Sequence, residues 1–83
     1  MAVAVTIYAR AGCHLCDQAR AQILRLAVGG RPIELREIDI ESDERLLSAY
    51  LERIPVVEVA GLEVSELEFD ADAFSDALHT VEP

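Results

Sequence analysis

Tyr8-Ala9-Arg10-Ala11-Gly12-Cys13-His14-Leu15-Cys16 is the stretch on which the reading of this 83-residue chain turns. Ahead of it, Val3, Val5 and Ile7 alternate with Ala4, Thr6 and Tyr8. Both sets are mostly apolar, which predicts a strand covered on both faces. Ala11-Gly12 breaks that strand. Behind it, from His14 to Val28, Leu15, Ala19, Ile23 and Leu26 recur at helical spacing, with charged and amide side chains mostly on the other faces. The two cysteines therefore sit where a strand gives way to a helix. In open α/β sheets, sites gather at the carboxyl ends of strands.

That position has chemical consequences. Cys13 falls at or near the helix N-cap, where unpaired backbone N–H groups and the helix dipole both favour a thiolate. Such placement lowers a thiol pKa from ~8.5 into the range of about 3.5–7.5. Arg10 adds a positive charge three residues earlier. Cys16 lies one turn deeper and is adjacent on the helix surface, so the two sulfurs can meet. The asymmetry predicts roles. Cys13 attacks a disulfide as the nucleophile, and Cys16 resolves the mixed disulfide. Gly12 lets a bulky sulfur substrate approach the backbone. His14 either stabilises the thiolate or points to solvent. Two buried structural thiols are the competing reading, but such thiols need no helix start, no preceding glycine and no nearby cation. A Cys-x-x-Cys that follows a strand in a βαβ pattern points to redox chemistry.

Outward from this stretch, Gly29-Gly30 ends the first helix and Pro32 prevents its restart. Ile33, Leu35 and Ile38–Ile40 form a second strand. Ser42 is the expected N-cap of a second helix, with Asp43 and Glu44 in its first turn and Leu46, Leu47, Tyr50 and Leu51 as its buried stripe. Ile54-Pro55 stops it. Val56–Val59 and Leu62–Val64 flank Ala60-Gly61 as a hairpin. Asp70 or Asp72 caps a last helix bearing Phe74, Ala77, Leu78 and Val81. The order is β-α-β-α-β-β-α, an α/β chain with a mixed four-stranded sheet and helices on both faces. Strands separated by helices imply a parallel pair with a right-handed crossover. Residues 1–83 read as a single domain. An Ile54-Pro55 bond is trans by default, since only ~5–6% of X-Pro bonds are cis in folded proteins.

Charge and cysteine content narrow the classes. The formal net charge is -9, which argues against nucleic acid and anionic membranes as partners. It is uneven. Residues 1–33 carry four arginines and one aspartate, whereas residues 34–83 carry three arginines and fifteen acids. The segment with both cysteines is thus the positive one. Two cysteines do not make a disulfide scaffold. The longest apolar run, Met1 to Ile7 and broken only by Thr6, is far short of the ~20 residues that span a bilayer, and it lacks the flanks of a signal peptide. A reducing cytoplasmic location and a monomer are expected.

The chain resembles glutaredoxin-like members of the thioredoxin superfamily, in particular small bacterial proteins with a Cys-His-Leu-Cys site and an Arg-Ile-Pro-Val segment. The matching residues are Tyr8 to Cys16, then Arg53-Ile54-Pro55-Val56-Val57, then Gly61, in order over essentially the whole chain. The resemblance implies a thioredoxin-like fold and thiol–disulfide exchange with a disulfide-containing protein or small molecule. It implies that Pro55 is cis and lies beside Cys13, and that the backbone of Ile54 pairs with a peptide-like substrate. Arg10 matches the lysine that contacts a glutathione carboxylate in glutaredoxins, and Arg53 stands where they carry a threonine. Gly12 and His14 complete the implied substrate-binding set. Ser65-Glu66-Leu67-Glu68 departs from the glutaredoxin pattern, because Glu66 and Glu68 repel the carboxylates of glutathione. No bound cofactor is expected. Glutathione is a candidate reductant, as is a separate reductase.

Two other functions are open to these residues. Two thiolates can capture a soft metal, with Cys13, Cys16 and His14 as ligands. A structural zinc site needs about four, which a monomer does not supply. A non-catalytic thioredoxin-fold domain could dock a basic partner through its acidic surface. It would have no need of two accessible thiols.

Overall fold

Residues 2–28 and 30–81 are described by a computed structural model. The elements are β1 (Val3–Ala9), α1 (His14–Ala27), β2 (Ile33–Asp39), a 3-10 turn (Ile40–Ser42), α2 (Glu44–Tyr50), β3 (Val56–Val59), β4 (Leu62–Glu66) and α3 (Ala71–Thr80). The sheet order is β2-β1-β3-β4. β1 runs parallel to β2, from Val3 beside Ile33 to Ala9 beside Asp39. It runs antiparallel to β3, and β3 to β4. This is the mixed four-stranded α/β sheet that the pattern implies.

Alternation along β1 decides where the core lies. Val3, Val5, Ile7 and Ala9 are all buried, and they join Ala19 and Ile23 of α1, Val57 and Val59 of β3, and Phe74 and Leu78 of α3 in one cluster. Burying each large aliphatic side chain stabilises by roughly 1.5–3 kcal/mol. Ala4 on the opposite face is exposed, and Thr6 and Tyr8 are half-buried. The expectation of full cover on both faces is therefore corrected. α2 is only seven residues long, and its cover reaches Tyr8 through a stack with Tyr50, ring centroids 4.4 Å apart.

The helices differ from the pattern in detail. Along α1 the buried residues are Cys16, Ala19 and Ile23. Leu15 and Leu26 are 42% and 38% exposed, so the buried stripe is rotated by one position and runs through Cys16. The helix ends at Ala27 with Val28 as C-cap. Gly29, expected to help end it, lies outside the described residues. Ser42 is not the cap of α2. The 3-10 turn takes up Ile40–Ser42, the Ser42 hydroxyl donates to the Asp39 carbonyl at 2.6 Å, and Asp43 caps instead, accepting the Arg45 N–H at 2.7 Å. Ile40 belongs to that turn and is fully buried. Leu51, expected in the buried stripe, lies past the last turn and is exposed. Between the two aspartates, Asp70 caps α3, accepting the Ala73 N–H at 2.9 Å. Arg31 closes the far end of α3 by donating to the Leu78 carbonyl at 2.6 Å and to that of Val81, a cation where the helix dipole favours one.

The β3–β4 turn contains Ala60 at φ 51° and Gly61 at φ 85°. Two successive left-handed residues are what a two-residue type I′ hairpin demands, and Asn-Gly is the preferred pair. A left-handed alanine costs roughly 1–2 kcal/mol. Ala60 is exposed, so a change there disturbs no packing. Ala60→Asn is expected to stabilise the fold by about 0.5–1 kcal/mol, read as a higher urea midpoint at constant slope. An unchanged or lower midpoint contradicts this account of the turn.

Candidate active site

Strand register gathers the site. Tyr8 lies beside Ile38 of β2 and Val56 of β3, and Val56 lies beside Glu66 of β4. The residues that follow β1, precede β3 and follow β4 therefore meet at one end of the sheet. They are Arg10–Cys13, Ile54–Pro55 and Leu67–Glu68. The turn after β2, with Glu41, lies at the same end.

Cys13 is the N-cap of α1, with φ -95° and ψ 107°. Its Sγ accepts the N–H of Cys16 at 3.1 Å, and its carbonyl accepts that of Asp17 at 3.1 Å. A sulfur so placed takes up one of the donors that a helix start leaves unpaired. Cys13 and Cys16 are joined in a disulfide, with Cα atoms 5.2 Å apart. Cys13 is half-buried and Cys16 is 0% exposed. The two sulfurs thus differ in access as the sequence suggests. Gly12 has φ +78°, with open space where a Cβ would stand. Backbone conformation, rather than crowding, calls for glycine there. His14 opens α1 and is exposed.

The Ile54-Pro55 peptide bond is cis. The base rate for X-Pro bonds pointed the other way, and the resemblance pointed correctly. Ile54 and Pro55 are buried. The N–H of Ile54 donates to the Tyr50 carbonyl at 3.1 Å, so that donor is already engaged.

Both arginines of the candidate set are paired. Arg10 donates to Glu41 at 3.0 Å. Arg53 meets Glu66 at 2.6 Å and Glu63 at 2.5 Å, and its guanidinium lies 5.5 Å from the centroid of the Tyr50 ring. Hydrogen bonds to Glu63 and then Glu66 push the Arg53 pKa up. Burial, then the neighbouring Glu58 carboxylate, raises that of Tyr8. Sequence reading missed Glu41 and Glu63 as partners, because each pair spans separate elements and no local spacing marks it. It also missed the shape of Leu67, which has φ 60° and donates its N–H to the Arg53 carbonyl at 3.0 Å. A left-handed leucine costs roughly 1–2 kcal/mol. Here it ties the end of β4 to the loop that carries Pro55.

Residues 4–79 match the family model described as "Glutaredoxin-like domain (DUF836)". The chain belongs to this glutaredoxin-like family. No curated protein matches it. Among solved structures, protein Ne2328 of Nitrosomonas europaea is 28% identical, with 92% of this chain and 91% of that one covered and a TM-score of 0.79. The XcR50 protein of X. campestris is 35% identical over 94% of this chain and 99% of its own, at TM-score 0.72. A thioredoxin variant from Halobacterium salinarum, 22% identical over 98% of this chain and 78% of its own, has a TM-score of 0.64 and shares the fold. The chain is a glutaredoxin-like protein with a thioredoxin-like fold.

Within this family member, among the described residues, no three His, Cys, Asp or Glu side chains come together as they would to hold a metal ion. Nor is any described helix long and apolar enough to cross a membrane.

Proposed function

We propose that this protein is a thiol–disulfide oxidoreductase that works through the Cys13–Cys16 dithiol. The observation that carries the reading is the Cys16 N–H donated to Cys13 Sγ at 3.1 Å at the start of α1. A hydrogen bond to sulfur and the dipole of the helix both favour the ionised form of Cys13. The half-buried Cys13 is the nucleophile, and the fully buried Cys16 is the resolving thiol.

In the reduced protein, the Cys13 thiolate attacks one sulfur of a disulfide R–S–S–R. A Cys13–S–S–R bond forms, and the first RS⁻ leaves and is protonated by water. Cys16 gives up its proton to solvent, and its thiolate attacks Cys13 Sγ. The protein disulfide forms and the second RS⁻ leaves. Two thiols of the protein are oxidised and one disulfide is reduced to two thiols, so electrons balance. An external thiol, either glutathione or a dithiol reductase, restores the protein. A protein or small molecule bearing a disulfide is the substrate, and the reducing cytoplasm is the compartment in which such a cycle runs. In this reading Gly12, His14, Ile54 and Pro55 line the approach to Cys13, and Arg10 and Arg53 flank it.

Cys16→Ser separates the two roles. Mixed with 2-hydroxyethyl disulfide, this variant should hold one mercaptoethanol adduct on Cys13, seen as an intact-mass increase. The wild-type protein should instead lose two hydrogens and keep no adduct. A variant that takes up no adduct, or a wild type that accumulates one, overturns the assignment.

A further inference from the structure

A cleft of about 330 Å³ opens where the carboxyl ends of β1 and β2 part, lined by Ala9, Arg10, Ala11, Asp17, Arg20, Glu37 and Asp39. Its lining includes Ala11, two residues before Cys13 in the chain, and Asp17, the residue after Cys16. Its two cations are both engaged within the molecule. Arg20 donates to Asp17 at 3.0 Å and also to Glu37, and Arg10 is paired with Glu41 at 3.0 Å. Three carboxylates line the cleft against two guanidinium groups, and Glu41 offsets one of those two. On the other flank, Arg53 is shared by Glu63 and Glu66, with Glu68 close behind in sequence. Each side of Cys13 therefore carries more carboxylates than cations.

We propose that this end of the molecule selects disulfides that bear an ammonium or guanidinium group a few bonds from the sulfurs, and that Glu37, Asp39 and Glu41 set the preference. The proposal rests on the dithiol chemistry above and names its substrate class. An incoming carboxylate must displace Glu41 to reach Arg10, or Glu63 and Glu66 to reach Arg53. An incoming cation can instead approach Asp39, which is exposed and pairs with no arginine among the described residues, its Oδ1 accepting the Glu41 N–H at 2.9 Å. Such a cation is drawn by the net charge of the rim, which raises the local concentration of the substrate before any bond is made. The same chemistry can come from a small amine disulfide or from a lysine- or arginine-flanked cystine in a polypeptide.

Three disulfides of matched size test this. They are cystamine (cationic), 2-hydroxyethyl disulfide (neutral) and dithiodiglycolate (anionic). Each kcat/KM is divided by the rate of the same disulfide with dithiothreitol, which removes intrinsic reactivity. At low ionic strength cystamine should exceed dithiodiglycolate by about tenfold, and the ratio should shrink towards unity in about 0.5 M salt. Glu41→Gln frees Arg10 and should cut the ratio by about threefold, whereas Glu41→Asp should preserve it. A cystine peptide with lysine flanks, compared with cystamine, tells the two sources apart through its KM. Equal normalised rates, or a preference for dithiodiglycolate, would overturn the charge selection while turnover of the neutral disulfide left the dithiol reading standing. A neutral disulfide left untouched by the reduced protein would sink both.

Discussion

Cys13→Ser should bring the turnover of 2-hydroxyethyl disulfide down to the uncatalysed background, a loss of more than about a hundredfold. The reason lies in the atom. A serine hydroxyl is not ionised near neutral pH and does not displace a thiolate from sulfur, whereas a thiolate at a helix start does. The variant is informative because it should fold. Cys13 caps α1 through a side-chain acceptor for the Cys16 N–H, and serine is among the preferred N-cap residues. Loss of turnover with a retained thermal transition therefore reports chemistry rather than unfolding. Turnover persisting near the wild-type rate in Cys13→Ser would remove this sulfur from the mechanism.

The second large effect concerns stability. Phe74 is fully buried on α3, packs at 5.4 Å between ring centroids against Phe69, and belongs to the cluster that includes Ile7 and Val57. Phe74→Ala should destabilise the protein by about 3–5 kcal/mol through lost transfer energy and the cavity left behind. The whole stability of a chain this size is roughly 4–12 kcal/mol at the usual per-residue value. The variant should therefore sit near its unfolding threshold, with a urea midpoint far below that of the wild type. A loss under about 1 kcal/mol would mean that α3 does not anchor the core in this way.

Sequence pattern and structure agree where local signals are strong. The alternation of β1, the glycine-marked break before Cys13 and the Ala60-Gly61 turn are each set by steric rules that act within a few residues. The N-cap role of Cys13 is legible for the same reason. What was not legible depends on contacts between distant elements. Leu15 has the right spacing for a core residue, yet Cys16 takes the core position, because the sheet fixes how α1 is rotated. Ser42 has the chemistry of a cap, but the 3-10 turn places Asp43 there. The pairs Arg10–Glu41 and Arg53–Glu63 bring together residues 31 and 10 positions apart, so the arginines look free along the chain and are not. The isomer of Pro55 was legible only through family resemblance, since the composition around it is compatible with either form.

The sheet order puts β2 and β4 at its two margins. β2 carries Glu34, Arg36, Glu37 and Asp39, and β4 carries Glu63 and Glu66. An unpaired margin offers free backbone groups to any passing extended chain, and charged side chains along it make such lateral addition unfavourable. The hydrophobic strands β1 and β3 are kept to the interior of the ladder, flanked on either side by residues that resist fibril-like stacking when many copies are concentrated together.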